Sequence, residues 1–206
     1  MSSSVRAAEP LPDVGAVLFK NICAQCHGPK GEGNAVLHAP SIAGLPAWYV
    51  ATQLGNFREG RRGTDAQDPQ AFVMAATVKA LLPEHVGAVA KFIASLDSVP
   101  PPEVATPSEA TLAEGRLLFE ERCMECHRYN GTGEIVFGSA RLLGLQGWYL
   151  KDQLIKFKTG KRGAVPGDAN GAKMVFAVQH IATESALDAV VAYSLTLNDS
   201  PSAFGK

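Results

Sequence analysis

Two short runs can do chemistry in this chain: Cys23-Ala-Gln-Cys26-His27 and Cys123-Met-Glu-Cys126-His127. In each, two thiols lie one helical turn apart and a histidine follows the second directly. Thiols at that spacing can bond to the two vinyl-derived carbons on one edge of a haem, and the adjacent imidazole then reaches the iron from one face. Cys-x-x-Cys-His is the attachment pattern for c-type haem. The two runs use all four cysteines of the chain. A zinc ion fits less well, because two Cys and one His per run leave it a ligand short. A single zinc shared by both cysteine pairs leaves the recurrence of His and Met unexplained. A thioredoxin-like dithiol needs a preceding strand in a βαβ setting, and neither is visible.

A haem iron held by one histidine has a second axial position. Of the four methionines, Met1 is the start and Met124 sits inside the second Cys run. Met74 and Met174 remain, each 47 residues after its histidine. A thioether is a soft, neutral ligand that favours ferrous iron, whereas methionine is also a common filler of core gaps. Matched spacing in a chain so poor in Met favours ligation. His38, His85 and His180 have no histidine at the matched position and read as surface or loop residues. His180, six residues after Met174, is the one rival ligand.

Other residues recur in the same register. Trp48, Tyr49 and Gln53 match Trp148, Tyr149 and Gln153, and Arg62 matches Arg162. They read either as core and surface of one helix or as walls of a haem pocket, with ring N–H and O–H groups offered to propionates; the pocket reading is favoured for the tryptophans. The arginines lie on a Gly-flanked turn, and propionate pairing and plain solvation are both open. Lys151, Lys156, Lys158, Lys161 and Arg162 form a denser basic stretch than Arg58, Arg61 and Arg62. It reads as a solvated helix face or as a docking patch for an acidic redox partner.

These residues need a scaffold, and the scaffold is a duplication. A shift of 100 residues lays Gly15-Ala-Val-Leu-Phe19 on Gly115-Arg-Leu-Leu-Phe119 and carries the match through Met74 and Met174. The expected organisation is an N-terminal extension (1–12), a first domain (13–97), a Pro-rich linker (98–107), a second domain (108–198) and a tail (199–206). Each domain reads as helical. Asp13 and Ser108 or Thr111 are candidate N-caps of the helix that enters the Cys run. Tyr49, Gln53 and Phe57 fall on one face of a helix from Pro46, matched from Gly147. A last helix starts near Pro83 and near Thr183. Gly15 and Gly115 inside the first helix point to a close crossing with another. Long loops are expected between the Cys run and the last helix, and loops of that length need an anchor.

Composition narrows the function. Nineteen Lys and Arg against 20 Asp and Glu exclude a strongly basic nucleic-acid binder. No apolar run approaches the roughly 18 residues that span a bilayer, so a soluble chain without a transmembrane segment is expected. Aromatics at 7% are a thin supply for two small cores, which leaves room for a prosthetic group. The first ten residues contain no apolar signal region.

From Val14 to Leu197 the chain resembles the dihaem cytochrome c4 family, tandem class I c-type cytochrome domains. The resemblance rests on Cys23-Ala-Gln-Cys-His27-Gly28, Gly31-Glu-Gly33, Ala39-Pro40-Ser-Ile-Ala-Gly44, Trp48-Tyr49 with Gln53-Leu54, Met74 and the last helix. It implies an all-α fold, two covalently bound c-type haems and methionine as sixth ligand. It also implies that the haem propionate edges face each other, that electrons are shuttled in the bacterial periplasm, and that terminal oxidases or dehydrogenases are partners. In the family, the proline at position 40 shapes the loop whose carbonyl orients the proximal histidine. The second copy has Ala140 there, and Arg128 where Gly28 is usual. His127 is therefore expected to lack that support, and the two haems to be electronically inequivalent.

The expected protein is a soluble dihaem electron carrier rather than a catalyst, since a six-coordinate iron offers substrate no open position. Two alternatives are an electron-transfer subunit of a larger oxidoreductase and a haem enzyme with a displaceable Met. Covalent haem attachment needs an exported apoprotein with reduced thiols, which makes the periplasm the expected compartment.

Overall fold

The computed structural model describes residues 13–100 and 106–198. The expected N-terminal extension, the C-terminal tail and Pro101 and Pro102 of the linker lie outside the described residues.

Apart from two isolated β-bridges, Asn34 to Ala39 and Glu134 to Ser139, the regular structure among the described residues is helical. In the first half, α1 (Val14–Leu18) passes through a π-helical stretch (Phe19–Cys23) into α2 (Ala24–His27). Then come α3 (Ala47–Arg58), α4 (Pro69–Ala80), a 3₁₀ turn (Pro83–His85) and α5 (Val86–Ser95). The second half has α6 (Glu109–Arg122), α7 (Met124–His127), α8 (Gly147–Lys158), α9 (Ala169–Gln179) and α10 (Glu184–Ser194). The caps are those of the sequence pattern: Asp13 Oδ1 accepts from Gly15 N at 2.8 Å, and Ser108 Oγ from Thr111 N at 3.1 Å.

The first and last helices of each half pack together, α1 on α5 and α6 on α10. Glycine makes the crossing possible. A methyl group on Gly15 would collide with the Ala88 carbonyl, and one on Gly115 with the Ala189 carbonyl. Aromatic pairs lie beside each crossing, Phe19 on Phe92 and Phe119 on Tyr193.

The long loops expected after the Cys runs are interrupted by α4 and α9, the helices that carry Met74 and Met174. Their apolar residues surround the axis rather than forming one stripe: in α4, Ala71, Ala75 and Val78 are buried while Phe72 and Val73 are exposed. Periodicity therefore does not mark them. Their ends do. Asp68 and Asp168 are N-caps, accepting from Ala71 N at 3.1 Å and Gly171 N at 2.9 Å, and Pro69 takes the first-turn position. At the other end, Arg58 of α3 donates to the Val78 and Leu81 carbonyls and Lys158 of α8 to the Ile181 carbonyl, cations where the helix dipole favours them.

The main apolar core is continuous across the repeat. Phe19, Leu54, Phe57, Val89 and Ile93 of the first half join Leu145, Leu150 and Val191 of the second in one cluster. No single helix among the described residues is long and apolar enough to cross a membrane.

Candidate functional site

Each Cys run closes the first helical passage of its half, and the chain then turns so that the histidine points inward. His27 and His127 are both buried. His27 Nδ1 lies 2.7 Å from the Pro40 carbonyl, and His127 Nδ1 lies 2.8 Å from the Ala140 carbonyl. A carbonyl only accepts, so Nδ1 carries the proton and Nε2 keeps its lone pair free. Burial lowers both imidazole pKa values, with the carbonyl bond partly opposing it. The result is a neutral imidazole fixed in orientation, the form a metal requires. The expected loss of support at His127 is not what the structure shows. The backbone of the loop places the Ala140 carbonyl as well as the Pro40 carbonyl, because the bond needs the peptide oxygen and not the proline ring.

Arg128 differs from Gly28 in a way that does matter. Gly28 adopts φ 80° and ψ 157°, and Arg128 repeats this at φ 67° and ψ 158°, a region nearly reserved for glycine and costing an L-residue about 1–3 kcal/mol. The Arg128 head pairs with Glu134 at 2.8 Å, but both side chains are partly exposed and such a pair contributes about 0–1 kcal/mol. Arg128→Gly is therefore expected to stabilise the haem-loaded protein by about 1 kcal/mol, measured as the shift in guanidinium midpoint at unchanged slope.

In the second half, a mostly apolar cavity is lined by Cys123, Cys126, His127 and Met174 together with Phe119, Leu142, Leu150, Val178 and Ile181. In the first half, Cys23 and Met74 pack against the main apolar core. None of the four cysteines is in a disulfide. Burial pushes the Cys23 thiol up to about 11 and the Cys123 thiol up to about 12. His180 sits at the surface against Phe176 and is not among the cavity-lining residues.

The remaining repeated residues meet at a seam between the halves. Arg62 donates to Gln53 Oε1 (2.8 Å) of its own half, and to Gln153 Oε1 (2.9 Å) and Tyr149 OH (3.3 Å) across the seam. Arg162 mirrors it with Gln153 Oε1 (2.7 Å), Gln53 Oε1 (2.9 Å) and Tyr49 OH (3.4 Å). Each guanidinium also lies 4.5 Å above a ring of its own half, Phe57 or Phe157. Both arginines are buried, so the solvated reading of them is wrong. Burial alone would raise the Tyr149 phenol pKa, but Arg62 and Arg162 beside it outweigh that and lower it. Two buried cations sharing amide and phenol oxygens call for negative charge nearby; Asp168 acts on Arg162, and haem propionates would supply more. Tyr49, Gln53, Tyr149, Gln153 and Arg162 all line the second cavity, and Arg62 lies one hydrogen bond behind Gln53, Tyr149 and Gln153. The residues present thus fit a haem in chemistry: an apolar wall, paired thiols, a neutral imidazole, a thioether and cations at the polar edge.

Trp148 packs edge-on against His38 of the first half, with ring centroids 5.7 Å apart, and is not among the cavity-lining residues; Trp48 packs on Tyr49. Two of the five cations in the basic stretch are withdrawn from the surface. Lys156 and Arg162 are buried in the seam, Lys151 pairs with Glu184 and Asp188, Lys158 caps α9, and Lys161 reaches the Gln67 carbonyl across the halves. Lys151, Lys158 and Lys161 stay partly exposed.

Two tandem helical domains, each with a Cys-x-x-Cys-His attachment run, define a dihaem c-type cytochrome. The chain matches the cytochrome c family over residues 13–97 and 112–198 and belongs to it. A thiosulfate dehydrogenase electron acceptor from Stutzerimonas stutzeri is 32% identical over 158 residues, covering 72% of this chain and 68% of the relative. Cytochrome c4 from Azotobacter vinelandii is 33% identical over 102 residues, covering 45% of this chain and 47% of the relative. The chain thus spans about two thirds of the first relative and about half of the second. Reduced cytochrome c4 from Pseudomonas stutzeri shares the fold, with a TM-score of 0.70 at 22% identity over 89% of this chain and 97% of that one. The protein is a cytochrome c4-like electron carrier with two covalently bound c-type haems.

Proposed function

We propose that the chain accepts single electrons from a periplasmic dehydrogenase and passes them to a respiratory acceptor, holding one electron at each of two six-coordinate haems. In this reading Cys23, Cys26, Cys123 and Cys126 form the thioether links, His27 and Met74 are the axial ligands of the first haem, and His127 and Met174 those of the second. Arg62 and Arg162 hold the propionates at the seam. Haem supplies a reversible one-electron change at iron when bound, and the protein supplies burial, ligands and fixed charge. The observation that carries the reading is that His127, its two cysteines and Met174 line one apolar cavity, to which Tyr49 and Gln53 of the first half also contribute. The relative that accepts electrons from thiosulfate dehydrogenase favours a dehydrogenase of inorganic sulfur compounds as donor, with the chain either a free acceptor or a bound subunit of that enzyme.

The test is a haem count with optical spectra and redox titration. Two haems per chain are expected, with the weak near-infrared band of Met-to-iron bonding in the oxidised state and no carbon monoxide adduct at neutral pH. Carbon monoxide binding without any substitution would overturn the six-coordinate reading and favour an enzyme. Co-purification with a dehydrogenase separates the subunit from the free carrier.

A further inference from the structure

The seam is two-fold in its Arg–Gln–Tyr network, and two buried polar departures from that symmetry point the same way. Gln146 stands where the first half has Pro46, and Lys156 where it has Asn56. Both belong to the second half, both are buried, and both reach into the first.

Gln146 Oε1 accepts from Ser41 N at 2.9 Å, and its Nε2 donates to the Glu32 carbonyl at 2.8 Å. The Ser41 N–H and the Pro40 carbonyl are the two ends of one peptide unit, and that carbonyl accepts from His27 Nδ1. An acceptor on the N–H polarises the peptide and strengthens the carbonyl as an acceptor in turn. Gln146 thus acts along a chain of three groups that ends on the imidazole. Lys156 Nζ lies 2.8 Å from Asp68 Oδ1 and 2.7 Å from Asp152 Oδ2. Asp68 is the N-cap of α4, the helix of Met74. In the reverse direction the first half offers a proline side chain without polar atoms at 46. Its Asn56 Oδ1 accepts from Arg61 of its own half at 2.8 Å.

We propose that Gln146 and Lys156 are positioning residues for the first haem site, by which the second half sets both of its axial supports: the basicity of His27 and the retention of Met74. The inference rests on Met74 and His27 being the ligands, and its test separates the two claims.

The experiment uses the full-length, haem-loaded protein and assigns the two haems by Met74→Ala and Met174→Ala, each of which should remove about half of the near-infrared band, one of two sites. Gln146→Ala weakens the carbonyl pull on the His27 N–H, makes the imidazole a poorer donor and favours ferrous iron. The potential of the haem assigned to Met74 should rise while the other stays within error. Lys156→Met leaves Asp68 buried and unpaired, a strain relieved when the start of α4 opens to water. Cyanide should then bind the first ferric haem about tenfold faster or more, with the second changed less than about twofold. Lys156→Arg should restore the slow rate. Lys156→Met with Asp68→Asn should restore it too, because it removes the stranded charge and keeps a capping oxygen; this double variant also reads out the effect if the single variant folds poorly. Equal changes at both haems, or none at the first, would overturn the proposal. A Met74→Ala protein with an intact near-infrared band would instead remove the ligand assignment beneath it, and the proposal with it.

Discussion

Replacing Cys123 and Cys126 together by serine is expected to give a protein with one covalent haem instead of two and with its second half unfolded. The reason lies in what lines the cavity. Phe119, Leu142, Leu150, Val178 and Ile181 face it from the first helix of the half, the loop, α8, α9 and the turn beyond, so each element contributes its apolar face to the prosthetic group as much as to its neighbours. At about 24 cal/mol per Å³, leaving a cavity of about 150 Å³ empty costs about 4 kcal/mol, most of the stability of a marginal domain. The haem stain of denatured protein should fall by half, and the helical circular dichroism by a comparable share. The first half should lose stability as well, since Leu145, Leu150 and Val191 belong to the core cluster it shares. Retention of the full helical signal with one haem would show that the second half holds itself together by protein contacts alone.

Replacing Arg162 by methionine is expected to lower the potentials of both haems. A buried cation favours the more negative, reduced state of a nearby iron, and Arg162 bonds to residues of both halves. A unit charge about 10 Å away at an effective dielectric constant of about 20 is worth about 1.7 kcal/mol, or roughly 70 mV for one electron. Spectroelectrochemistry reads the two waves directly. If the arginine only bonds the seam, the variant will lose stability while both potentials stay in place, and the propionate role of the arginines fails.

Much of this was legible in the residues. The Cys runs and the glycines of the helix crossing each depend on local chemistry or on one tight contact, which spacing alone reveals. The all-α fold and the caps at Asp13 and Ser108 follow from propensity and from short-range hydrogen bonds. Helices α4 and α9 escaped because they are apolar on most sides; the better signal was the pair Asp68-Pro69 and Asp168 at their starts. The fates of Lys156 and Arg162 were illegible for a different reason. A lysine four residues after Asp152 looks like a surface pair, and only the meeting of the halves brings Asp68 to it. The informative feature was mismatch inside a repeat: Pro46 against Gln146 and Asn56 against Lys156 are the positions where one half does something the other does not. Ala140 teaches the converse, because a side-chain difference has little effect where the backbone oxygen does the bonding.

The Arg–Gln–Tyr seam constrains how a duplicated gene can drift. Gln53 and Gln153 each accept from both guanidiniums, so a codon change in either copy strips bonds from both proteins-within-a-protein at once. Those six residues are tied to one another as the chains of an obligate dimer are, whereas positions 46, 56, 146 and 156 are free to specialise. Ancestral recombination between the copies would therefore be tolerated across the seam and punished where the halves have already taken different work.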